Sequence, residues 1–514
     1  MEVDAENLEW GRVSLKRSRM EFEGDELTHD GSTDDEPTDD EPTDDEPTDD
    51  DSEYSELDEA EEEEWPSEDE NEDLEYQQDI EEHEYTTSGD TTRTLKIRLF
   101  LTDEMMGDFN WIKNFVAECT CDGVIVAHAV ARYIDRERMR SRFWENMEEP
   151  GEETCDVAFH VFDRYGRVNL KYRDHPVQKG TGVWGSELDN GPLFLIESLH
   201  VTALELRRKG LGQKVVSLLL NKAEQFCLGK KGDHRQLLDR RKRLIDMLGD
   251  DKLAELGVVS DEDFERAWTP YALVSPGTLT ADFESQLEGK SAEERLMTKS
   301  RAESGAIDFW RACGFRRIGA SRCFAFSFDV QHQSRALSAA SDFDPRRSHA
   351  KDLEYEELEA AYEADHLIDP NKLKMEKLRD MLPLHHAALT LTDEELKAFF
   401  VTHADDEIGW DRVSNSDATI LHLTACELKP LSTQWLLENV PHADSWKTAR
   451  DIHGYTPLEA LREKLEKMRT RKEKGFFRVV HVSDRFEGYP GTAVACLSLL
   501  SGQDALRLNN LCLR

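Results

Sequence analysis

Leu95–Leu101 (Leu-Lys-Ile-Arg-Leu-Phe-Leu) alternates like a strand that buries one face. Gly123–Tyr133 is a second β-rich run and Leu193–Val201 a third. Tyr271–Val274 is a short fourth, stopped by Pro276 and Gly277. Asp156–Asp163, the turn Arg164–Arg167 and Val168–Tyr172 together predict a hairpin. Helical patterns lie between these runs. A charged helix is expected near Glu137–Glu148. From Gly210 onward, Leu211, Val215, Leu218, Leu219 and Phe226 share one helix face. A further helix runs over about Ala292–Cys313, and Phe315–Val330 holds one or two strands. Strands and helices therefore mix through 94–332. Residues 333–378 read as a partly helical connector, and 379–514 as helix pairs.

The helix pairs carry a period. Met381-Leu382-Pro383-Leu384-His385-His386-Ala387, Thr419-Ile420-Leu421-His422-Leu423-Thr424 and Tyr455-Thr456-Pro457-Leu458-Glu459-Ala460 are three versions of one motif, with leucines 37 residues apart at 384, 421 and 458. The motif resembles the ankyrin helix start Thr-Pro-Leu-His-x-Ala, whose repeat is about 33 residues long. In the third version Thr456 is placed to cap the helix and Pro457 takes its first position, where no amide hydrogen is missed. Adding one period to Gly454 reaches Gly491, a degraded fourth copy. The motif itself accounts for His385 and His422, so their clustering with His386 does not predict a metal site. Stacked repeats of this kind bind protein, which makes a protein partner the expectation for this block.

Charge divides the chain. The formal net charge is −45, yet residues 1–93 hold 40 of the 109 Asp and Glu against 5 of the 64 Lys and Arg, so 69 against 59 remain for the rest. Three tandem Asp-Asp-Glu-Pro-Thr copies span Asp34–Thr48. Such a self-repelling segment buries too little apolar area to offset its chain entropy, so 1–93 is expected to be a disordered acidic tail. The remainder is too acidic to track a nucleic-acid backbone. No run of eighteen apolar residues predicts a membrane span, and the acidic start is unlike a secretory signal. The nine cysteines are scattered, as expected of reduced thiols in a cytoplasmic or nuclear protein.

The chemistry-bearing segment follows the Leu193–Val201 run. Arg207-Arg208-Lys209-Gly210-Leu211-Gly212-Gln213 joins a strand to a helix. A helix start offers unbonded amide hydrogens and the positive end of the helix dipole, which suit a phosphate. Glycines at alternate positions let the backbone approach the anion. Downstream stands Ala306-Ile307-Asp308-Phe309-Trp310-Arg311-Ala312-Cys313-Gly314-Phe315. In this order, with a strand between them, the two blocks resemble those of the GNAT superfamily of acetyl-CoA-dependent N-acyltransferases, over roughly Thr94–Val330. Gly229–Trp268 (about 229–268) then reads as a helical, charged insertion. The expected fold class is multidomain: an α+β domain of GNAT type, its mixed central sheet flanked by helices, followed by an all-α ankyrin stack.

The resemblance implies a co-substrate, acetyl-CoA, and an amine acceptor, either a protein or a small molecule. Gly210, Leu211, Gly212 and Gln213 would donate amides to the diphosphate, with Arg207, Arg208 and Lys209 as counter-charge. Leu199 and Val201 would run beside the pantetheine arm through main chain, and Phe309 and Trp310 would line it. Glu197, four residues before Val201, falls on Val201's face by the period of two and is the candidate general base; its alternative role is to bond a neighbouring backbone group or arginine. His200 is a weaker candidate, pointing to the opposite face. The family commonly has a tyrosine where this chain has Trp310, and an indole N–H cannot protonate a departing thiolate. That departure keeps a second reading open, a CoA-binding scaffold that acts through its repeats.

Overall fold

The computed structural model describes residues 77–87, 93–103, 109–139, 142–248, 270–277, 284–364, 366, 369–404, 409–470, 472–474, 479–481 and 488–502. These fall in one compact unit, Tyr76–Thr278 with Phe283–Arg514. An eight-stranded mixed sheet forms its first part. It contains β1 (Gln78–Thr86), β2 (Thr94–Thr102), β3 (Ile112–Cys121), β4 (Val124–Ile134), β5 (Leu193–Val201), β6 (Tyr271–Val274), β7 (Arg316–Arg317) and β8 (Phe324–Ser327) in the order β1-β2-β3-β4-β5-β6-β8-β7. The first five strands are antiparallel neighbours, β5 and β6 run parallel, and β8 is antiparallel to both β6 and β7.

Alternation along β2–β5 produces two cores, one on each face. Leu95, Ile97 and Leu99 of β2, Phe115 and Ala117 of β3, and Ala127 and Ala129 of β4 pack on one face. Against them lie Leu211, Val215, Leu218 and Leu219 of a 38-residue helix, Leu211–Leu248. On the other face, Ile112, Ile134, Leu193, Leu195 and Leu273 meet Phe143 and Met147 of helix α1 (Phe143–Glu148) and Val157 and Val161 of α2 (Glu152–Val161). The long helix is α3, and Ala292–Ala312, opened by a capping box between Ser291 and Glu294, is α4.

Several local expectations change. The expected tail 1–93 contains β1, whose residues pair with β2 from Glu81–Leu99 to Thr86–Thr94. β3 has no counterpart in the sequence reading. The expected hairpin at 156–172 is instead α2 followed by a single bridge, Phe162 to Val168. Val157, Ala158 and Val161 recur at helical spacing and fill the second core, so burial favours the helix over the strand. The expected insertion begins as a continuation of α3, and 249–269 lie outside the described residues. No helix among the described residues is long and apolar enough to cross a membrane.

The connector contains α5 (His349–Ala364) and α6 (Pro370–Met381). Helix pairs follow: α7 (Pro383–Thr390) with α8 (Asp393–Thr402), α9 (Ile420–Cys426) with α10 (Pro430–Asn439), and α11 (Pro457–Thr470) with α12 (Gly491–Ser501). First helices pack on first helices and second on second, giving two layers. The helix at Gly491 is thus the second helix of the third pair rather than a fourth copy. The same bond joins successive pairs: His385 Nε2 donates to Ala418 O at 3.2 Å, and His422 Nε2 to Tyr455 O at 3.1 Å, each 33 residues on. Burial lowers the pKa of both imidazoles.

The third pair is seated on the sheet part. Lys171 pairs with Glu463 at 2.7 Å, His175 with Glu459 at 3.3 Å, and Gln178 Nε2 donates to His453 O. Gly454, at φ +81°, lies so close that a Cβ would stand 2.6 Å from Val177. Gly454→Ala is therefore expected to lower stability by roughly 2–4 kcal/mol, from left-handed backbone strain plus overpacking. Val177→Ala in the same chain should restore part of the loss in urea denaturation. A second expectation concerns pH. Because the folded state holds His385 and His422 below the ordinary value of 6.5, it binds fewer protons than the unfolded chain. Their contribution is complete above that value and falls away below it. The urea midpoint should drop on acidification through 6.5, less steeply in His422→Gln.

Candidate functional site

β5 is the element on which the site is built. Along one edge it pairs with β4 from Leu193–Ile134 to Val201–Ala127. Along the other it pairs with β6 only at Leu193, Phe194 and Leu195. Past Leu195 the pairing with β6 ends, so among the described residues the second half of β5 has no ladder on that edge.

The chain leaves β5 through a short 3-10 turn, Leu204–Leu206, and enters α3 through Arg207–Gly210. Arg208 (φ +61°) and Gly210 (φ +83°) are both left-handed. The first backbone bond of the helix is Lys214 N–H to Gly210 O at 3.0 Å, so the amides of Leu211, Gly212 and Gln213 have no backbone acceptor in the described chain. Arg208 and Gln213 are exposed beside them. A Cβ on Gly212 would stand 3.2 Å from the Phe309 ring and 3.6 Å from Leu199. Leu199, Gly212 and Phe309 therefore come together, although they are far apart in the chain. Arg207 turns back: its Nε donates to Val201 O at 2.8 Å and its Nη2 stands 3.3 Å from His200 Nε2. Trp310 is turned into the core. It is 7% exposed and packs edge-on against Phe309 and Phe315 in the core.

Glu197 is not where the period of two puts it. In the ladder with β4, Ser198 faces Val130 and Ile196 faces Ala131, so Glu197 is an extra residue, a β-bulge. The bulge breaks the alternation: Ile196 and Leu199 both pack on the α3 side, and Glu197 goes to the other. There its carboxylate meets Arg132 Nε at 2.8 Å, while Arg132 Nη1 donates to Pro150 O at 2.9 Å. The carboxylate bonds an arginine, the alternative role foreseen for it. Beyond the bulge His200 stands opposite His128 on that same face.

Three residues of this region carry no sequence signal. Tyr85, from the acidic segment, donates its hydroxyl to Lys209 O at 2.9 Å and lies 3.0 Å from where a Gly210 Cβ would be. Arg132 and His128 face β5 only through strand pairing. No group of three or more His, Cys, Asp or Glu side chains among the described residues is arranged to hold a metal.

Arg132→Gln and Glu197→Gln are each expected to cost roughly 1–3 kcal/mol, since each leaves a largely buried charge without its partner. The double variant should cost less than the sum by about 1 kcal/mol or more in a denaturation cycle; simple additivity would mean that the pair contributes nothing. Comparison of the chain with protein-family models, with curated proteins and with solved structures gave no match in any of the three.

Proposed function

We propose that the chain is a GNAT-type N-acetyltransferase that moves an acetyl or other short acyl group from acyl-CoA to an amine by direct attack, and that its helix pairs are ankyrin-type repeats. The single observation that carries this reading is the start of α3. Three amides without backbone acceptors, the positive end of the helix dipole and exposed Arg208 converge where two strands have just separated. Such a place suits a diphosphate with an extended arm running on along β5. Acetyl-CoA supplies the activated acyl group. The chain's own contribution is position and charge: Leu199 and Val201 offer main chain to the pantetheine amides, and Phe309 covers the small Gly212. A main-chain amide on β5 is suited to hold the charge that develops on the thioester oxygen.

Two observations favour a second reading, a CoA-binding scaffold with little turnover. Trp310 is buried and has no hydroxyl, and Glu197 is engaged by Arg132. A thiol-release assay with acetyl-CoA across a panel of amines separates the readings, because the scaffold binds acetyl-CoA and releases no thiol. The repeats bear on partners as well. Their third turn is occupied by this chain's own Val177 and Gln178, so a protein partner or protein substrate would use the remaining repeat surface.

The diphosphate cradle is tested by Gln213→Glu. A carboxylate in the first turn favours the helix itself but repels an anion, so the fold is kept while the ligand is opposed. Acetyl-CoA affinity by calorimetry should fall about tenfold or more, since a close like-charge contact costs about 1 kcal/mol even in bulk water and more near a protein surface, with the melting temperature unchanged or raised. Unchanged affinity would remove the assignment.

A further inference from the structure

If Arg132 engages Glu197, the acyl-transfer reading needs another group to take the acceptor's proton. The cross-strand registers assemble one line of side chains over the face that carries Glu197 and His200. Glu82 of β1 faces Arg98 of β2, Arg98 faces Glu118 of β3, Glu118 faces His128 of β4, and His128 faces His200 of β5. Arg207 closes the line at His200. Arg98, Glu118, His128 and His200 are all half-buried, so the line is the floor of a surface that solvent and an acceptor can reach.

The two histidines differ in what they can do. His200 Nε2 faces an Arg207 nitrogen that can only donate, so this nitrogen accepts and its lone pair is taken. His128 makes no hydrogen bond to any described side chain or backbone group, so its basic nitrogen is open. Directly opposite residues of an antiparallel pair lie about 4.5–5.5 Å apart. His128 is thus one strand from Leu199–Val201, the β5 segment that the acyltransferase reading sets beside the thioester, a separation that one bridging water can span.

We propose that His128 is the general base for the acceptor amine, an inference that rests on the acyltransferase reading above. The ammonium of the acceptor gives one proton to the imidazole of His128, directly or through a water. The neutral nitrogen then forms the N–C bond as the thioester C–S bond breaks, its second proton ends on the departing sulfur, and His128 returns the first to solvent. Burial lowers the pKa of His128, and His200 lowers it further, while Glu118 raises it. The imidazole is consequently neutral and ready to accept at neutral pH. Other charged groups on this face are Arg132 and Glu197, which pair with each other, Arg98 and Glu82 beyond Glu118, and the Lys96–Glu84 pair one step along β2 and β1.

The experiment follows kcat/KM against pH with the best amine of the panel, alongside acetyl-CoA affinity. In the wild type an acid limb should report His128, and an NMR titration of the His128 ring should give the same pKa. His128→Gln should remove that limb and cost about 100-fold at neutral pH, with acetyl-CoA affinity unchanged. Glu118→Gln removes the group that raises the pKa and should move the limb to lower pH; His200→Gln removes one that lowers it and should move the limb upward. A merely structural His128 moves none of these. The wild-type limb persisting in His128→Gln, or standing still in both neighbours' variants, overturns the proposal while leaving acyl transfer intact. Wild-type protein that binds acetyl-CoA but acylates no amine removes the transferase reading, and this one with it.

Discussion

A strand bonded along its whole length on one edge and for three residues on the other is under an unusual constraint. β5 is held by β4 through Val201, yet leaves β6 after Leu195. A sheet that stayed closed would spend every main-chain group on its ladders and leave nothing to offer a ligand. Here the pairing ends early and leaves an unpaired edge on the second half of β5, and the chain then turns through two left-handed residues into α3. Both features needed for an extended anionic ligand, an edge of strand and a helix start, are consecutive in the chain and adjacent in space.

The bulge at Glu197 serves the same end of the strand. One additional residue lets Ile196 and Leu199 both face α3, so the apolar side of β5 continues towards the start of that helix. The cost is that Glu197 is turned to the far side, where Arg132 compensates its charge. The residue with the most obvious acid–base chemistry is thereby paired with an arginine.

The helical part is joined to this sheet by more than a linker. Lys171 pairs with Glu463 and His175 contacts Glu459 of α11, and Gly454 abuts Val177 without room for a methyl group. Single polar contacts of this kind contribute little alone. The close backbone approach is the more demanding contact, because close-packed interfaces do not deform gradually. One turn of the helix pairs is thereby committed to the segment between β4 and β5.

Much of the architecture was legible in the sequence. Leu193–Val201 and Tyr271–Val274 have the strand limits read from their apolar runs, and the 37-residue spacing of Leu384, Leu421 and Leu458 marks three equivalent helix starts. These are local or periodic signals, carried by neighbouring residues. The turn at Gly210 was legible for the same reason: its glycines and basic residues are contiguous. What the sequence could not decide is everything set by partners far along the chain. The acidic composition around β1 hides a strand, since pairing with β2 rather than its own residue preferences holds it. Asp156–Asp163 reads as a strand but is helical over Asp156–Val161 because the second core takes Val157 and Val161. Glu197 changed face because an extra residue in a ladder shifts every later side chain by half a period. His128 faces His200 for the matching reason: register between strands is a property of the folded sheet.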